Sequence, residues 1–131
     1  MEDRKFFLLI DEFANLNQGS SIKLESGDAL VCQYKERQII VENGTRLGLD
    51  GQIVLMAKLN QQSLSANLSL ELNADFRLTT DGYIARISDH NFYFMRHITL
   101  PEHPQELFRL LNKFAVQVTI LDTEIKRHVV D

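Results

Sequence analysis

The chain has 131 residues, 44% hydrophobic and 24% charged, with a formal net charge of −4 and a pI near 5.5. That composition fits one globular domain, 1–131, and an acidic chain without a Lys or Arg run excludes the basic face expected of a nucleic-acid partner. A lone cysteine, Cys32, excludes an internal disulfide, and no apolar run approaches the ~18 residues needed to cross a bilayer.

The first residues lack the apolar core and cleavage site of a signal peptide, so a cytoplasmic chain with no membrane partner is expected. Over 4–16, Phe6, Phe7, Leu9, Ile10, Phe13 and Leu16 recur at helical spacing, and Asn17-Gln18-Gly19-Ser20 ends that helix. Alternating segments follow at 21–25, 29–35 and 38–42, with Gly27-Asp28 as a turn. Asn43-Gly44 and Asp50-Gly51 are pairs suited to tight hairpin turns, and 52–59 supplies a further strand. These segments read as an antiparallel meander of three or four strands.

Residues 62–76 fit two patterns. Leu64, Leu68 and Leu72 fall four apart, as on a helix, while 68–72 alternates as a strand would. The length favours a helix, with Ser63 as a candidate cap. Asp81-Gly82 opens a hairpin of strands 83–87 and 92–98, turned by 88–91. Pro101 and Pro104 mark the start of the last helix, whose stripe is Leu107, Leu111, Phe114, Val118, Leu121 and Ile125, closed by Lys126, Arg127 and His128. The expected fold is α+β: an antiparallel sheet with three helices in the order α-β-β-β-α-β-β-α, the 38–51 stretch leaving room for an extra hairpin.

No reactive constellation stands out. His90, His97, His103 and His128 are scattered over a turn, a strand, a helix approach and a helix end, without metal-ligand spacing, and Cys32 has no CxxC partner. Phosphate loops and nucleophile elbows are missing, so neither a cofactor nor an enzymatic role is expected. The chain has more apolar surface than one packing face needs: Phe6-Phe7 and Leu9-Ile10 widen the first helix, and Ile53-Val54-Leu55-Met56 and Phe92-Tyr93-Phe94-Met95 are apolar on both faces. Either helices cover both faces or some surface meets a partner, and the balance leans to a protein-binding module.

Leu70-Glu71-Leu72-Asn73-Ala74-Asp75-Phe76, followed by Thr79-Thr80-Asp81-Gly82-Tyr83, resembles the helix end and strand opening of single-effector type III secretion chaperones, the Tir-chaperone family. The Leu8-Leu9…Phe13 spacing, Ile22-Lys23-Leu24, and Phe94-Met95-Arg96 ahead of Leu100-Pro101 resemble that family's opening and ending. The resemblance implies a bacterial cytoplasmic homodimer that holds the N-terminal chaperone-binding segment of a secreted effector in extended form. It implies effector contacts at Phe6, Ile10, Phe13, Ile22, Val31, Met95 and His97, and a dimer interface at Leu64, Leu68, Leu72 and Tyr83. It also admits an export ATPase as a further partner. The competing reading is a small ligand-binding or enzymatic domain, with Tyr83, Arg96 and His97 lining a pocket between the first helix and the sheet.

Overall fold

Six strands form one antiparallel sheet in the order β1-β2-β3-β4-β6-β5. The structure is a computed structural model and describes residues 2–16, 22–25, 29–34, 37–61, 63–88 and 91–130. In chain order the elements are α1 (Glu2–Leu16), β1 (Ile22–Glu25), β2 (Ala29–Tyr34), β3 (Arg37–Asn43), a 3₁₀ turn (Gly44–Leu47) and β4 (Gln52–Lys58). Then come α2 (Ala66–Ala74), α3 (Phe76–Thr79), β5 (Tyr83–Ser88), β6 (Asn91–Thr99) and α4 (Pro104–Val130). Four strands therefore precede α2 where the expected order had three. The turns expected at 17–20, 27–28 and 89–90 lie outside the described residues.

The four strands match the alternating segments 21–25, 29–35, 38–42 and 52–59, and 44–51 makes a compact connection between the last two. Asn43 does not form a two-residue hairpin with Gly44. Its side-chain oxygen accepts from Thr45 N at 3.2 Å and caps the 3₁₀ turn. Gly44 is required for room, since a Cβ there would lie 2.5 Å from Gln52 O. Gly51 has φ +74 and supplies the left-handed residue expected of the Asp50-Gly51 pair.

The 62–76 segment is helical, but shorter than expected. Ser65, not Ser63, is the cap: its Oγ accepts from Leu68 N at 3.1 Å. Asp75 then separates α2 from the short α3 by accepting from Arg77 N.

The core lies between one sheet face and two long helices. Leu107, Leu111, Phe114, Val118, Leu121 and Ile125 of α4 are fully buried, together with Phe6, Leu9, Ile10 and Phe13 of α1. The sheet contributes Leu30, Cys32, Ile39, Val41, Ile53, Leu55, Ala57, Ile84, Phe92 and Phe94, which share one side of the pleat. Phe94 and Phe114 stack with ring centres 5.5 Å apart. Each such side chain contributes about 1.5–3 kcal/mol when fully buried.

One polar link fastens the far half of α4. Asp122 is buried and its Oδ2 lies 2.6 Å from Arg37 Nη2, while Oδ1 accepts from Asn60 N at 3.0 Å. Arg37 also donates to Lys58 O at 3.0 Å, so the pair ties α4 to the ends of β3 and β4. Removing one partner leaves the other charge buried and poorly solvated. Asp122→Ala is expected to cost about 3 kcal/mol and to lower the melting temperature by roughly 10 °C. Thermal unfolding followed by circular dichroism checks this, and an unchanged melting temperature would contradict it.

Candidate functional site

The face of the sheet turned away from the helices is the main candidate. Register places Val31 opposite Ile40, Ile40 opposite Met56, Met56 opposite Met95, and Met95 opposite Tyr83. These five half-buried side chains form one row across β2, β3, β4, β6 and β5, and none belongs to the core cluster. The described helices lie on the other side: α1 and α3 pack on α4, α4 packs on β2 to β4, and Leu72 of α2 joins the same core. An antiparallel face turned to water normally carries polar side chains. Here polar residues such as Gln33, Gln38, Gln52 and Lys58 flank an apolar centre.

His97 borders the row. It stands opposite Val54 and is exposed, and its Nε2 is 3.0 Å from the Tyr83 hydroxyl with the rings edge to face. The pair offers a polar handle beside an apolar strip.

Val31, Met95 and His97, expected from the sequence as effector contacts, thus share this face, and Tyr83, expected at a dimer interface, joins them. Phe6, Ile10 and Phe13 do not. They are 1%, 0% and 2% exposed, because this is the stripe by which α1 packs on the core, so their expected surface role is corrected. Among the described side chains of α1, the apolar ones left outside are Phe7 and Leu8. Ile22 lies in β1, opposite Cys32, and its side chain is outside the described set.

Leu64 and Leu72 are also core residues of their own chain, which corrects their expected place in an interface, while Leu68 is half-buried. The apolar side chains this region exposes are Leu70 at 68%, Phe76 at 72%, and Ile87 on β5. Asn73 from the quoted motif has a role the sequence did not reveal. Its Oδ1 accepts from Ile84 N at 2.6 Å and its Nδ2 donates to Ile84 O at 3.3 Å. The carboxamide imitates a neighbouring strand and seals part of the outer edge of β5.

The alternative pocket does not assemble. Tyr83 and His97 lie on the open face, whereas Arg96 points to the opposite side and contacts Asp81. The cleft beside α1, about 460 Å³, is lined by Leu8, Leu9, Thr99 and Pro101 among others, and by none of those three. Among the described residues no group of three or more His, Cys, Asp or Glu side chains could hold a metal ion, and no helix is long and apolar enough to cross a membrane. Burial pushes the Cys32 thiol up to about 12, which keeps it protonated and unreactive at neutral pH.

This helix-backed antiparallel sheet defines an α+β fold already seen in a chaperone complex. One chain of the HopA1–SchA chaperone–effector complex superimposes with a TM-score of 0.66, over 95% of this chain and 95% of that one, at 8% sequence identity. The fold class implied by the sequence resemblance therefore stands. No protein-family model and no curated protein sequence matches the chain.

Cys32 provides a check on the packing. Iodoacetamide at pH 8 is expected to leave the folded protein unmodified and to alkylate Cys32 once denaturant is added. Rapid alkylation of the native protein would show that β2 is not packed as described.

Proposed function

We propose that this chain is a cytoplasmic type III secretion chaperone. It binds the N-terminal region of a secreted effector as an extended segment and keeps it soluble and competent for export. The observation that carries this reading is the half-buried Val31–Ile40–Met56–Met95–Tyr83 row, on the sheet face that no described helix covers. Crossing five strands, the row spans about 19 Å, a distance that roughly six extended residues cover. Alternate side chains of such a segment would fill the apolar strip, with Tyr83 and His97 available to its polar groups. The similarity in fold to a chain of a chaperone–effector complex supports the same reading. In this reading the work is binding, and the buried Cys32 takes no part in it.

The protein would act as a homodimer through α2 and β5. Leu68 and Leu70, with Phe76 and Ile87, are the apolar residues a second copy would cover, and Tyr83 lies where this surface meets the open face. A dimer would double the strip available to one effector chain.

Two outcomes follow. Ile40→Asp and Met56→Glu should each reduce retention of a co-expressed secreted partner by about tenfold or more, because a charge in the strip must be desolvated. Both positions are half-buried, so melting should change little; undiminished retention would rule out the open face. Leu70→Glu should convert a dimer into a monomer in light scattering, and a dimer that persists would place the interface elsewhere.

A further inference from the structure

The middle of the open row holds a pair of methionines. Met56 on β4 stands directly opposite Met95 on β6, with Ile40 beyond one and Tyr83 beyond the other. The sequence has three methionines, and the described strands hold two of them. The main-chain pattern draws these two side chains together. Phe92 O accepts from Leu59 N at 2.8 Å, and Leu100 N donates to Gly51 O at 2.9 Å. The even-numbered residues of β6 therefore turn their main-chain groups to β4, and Met95 turns its own to β5. Met56 and Met95 thus form a non-hydrogen-bonded pair, in which opposite residues approach most closely, with about 4.5 Å between Cα atoms.

An oxidant can reach these sulfurs without disturbing the fold. Both side chains are half-buried on the face that no described helix covers, and neither belongs to the core cluster. No thiolate or indole competes for the oxidant: the sequence has no tryptophan, and its only cysteine, Cys32, is 3% exposed in the core. Oxidation replaces a flexible apolar thioether with a polar, chiral sulfoxide. Two sulfoxides side by side put strong acceptors at the centre of the strip, and a bound segment has to desolvate them.

We propose that Met56 and Met95 are a redox modification site, and that their oxidation by a peroxide closes the open face to its extended partner. The inference rests on the function proposed above and adds its regulation. In each step a lone pair on Sδ attacks one oxygen of hydrogen peroxide, and the O–O bond breaks. The sulfur keeps that oxygen and is oxidised by two electrons. The proton of the attacked oxygen passes to the departing hydroxide, which leaves as water. Methionine sulfoxide reductases reverse the change with a dithiol as reductant: the oxygen leaves as water and the dithiol becomes a disulfide. A segment lying over the row covers both sulfurs, so occupancy slows the oxidation and the unloaded chain is the form that responds.

The test treats the full chain alone with hydrogen peroxide and removes the peroxide with catalase. The treated chain is then offered the secreted protein that the untreated chain retains on co-expression. Peptide mass spectrometry should find an added oxygen on both Met56 and Met95, with melting close to that of the untreated chain. The doubly oxidised chain should bind that secreted protein about tenfold or more weakly, and methionine sulfoxide reductases with dithiothreitol should restore binding. In the preformed complex the same two residues should take up oxygen more slowly. The double variant Met56→Leu, Met95→Leu should bind equally before and after peroxide, at whatever affinity it has. Undiminished binding by the doubly oxidised chain, methionines that resist peroxide until denaturant is added, or a loss of binding that the double variant shares would each overturn the inference. An untreated chain that retains no secreted protein would overturn the function proposed above, and this regulation with it.

Discussion

The packing of α4 onto one face of the sheet is the constraint on which the rest depends. Its six-residue stripe is wholly buried, and α1 adds Phe6, Leu9, Ile10 and Phe13 to the same layer. Helices on one side leave the pleat no choice: every second residue of β2 to β6 must point away from them. Val54 apart, which is buried, the apolar character of those alternate residues is therefore a property of the surface and is not needed for the core. The Arg37–Asp122 link matters for the same reason, since it holds the second half of α4 against β3 and β4 and keeps the layers in register.

The two long helices were readable because their apolar spacing is regular over many turns. Strand positions were readable from turn pairs, and the apolar runs in 53–56 and 92–95 correctly signalled a sheet with two apolar faces. The orientation of those faces was not readable. Whether Phe6 or Phe7, and Ile10 or Leu8, turns inward depends on where α1 meets α4, a contact between opposite ends of the chain. That is why Phe6, Ile10 and Phe13 were expected at the surface and are found in the core. The same holds for Leu64 and Leu72: a leucine spacing of four shows which residues share a side, but not whether that side meets its own sheet or another molecule.

Long-range polar links left no trace in the sequence. Asp122 and Arg37 are 85 positions apart, and nothing local distinguishes them from solvated charges. Asn73 was noticed as part of a motif, yet its function as a stand-in strand on the edge of β5 needs the position of Ile84, which only the fold supplies. The four alternating segments before α2 were legible, but Asn43-Gly44 has the composition of a tight hairpin. The structure uses it instead as a cap and a close-approach glycine, spreading the reversal over 44–51.

On this account the molecule divides its surface by chemistry. The open sheet face is an apolar strip with a single Tyr–His handle and suits an extended chain with alternating apolar side chains. The most direct test of the central claim is photo-crosslinking in cells from a benzoylphenylalanine placed at position 40, with the attached peptides identified by mass spectrometry. The account predicts crosslinks to the N-terminal region of a secreted protein. Crosslinks confined to a second copy of this chain, or none in cells that contain such a protein, would contradict it.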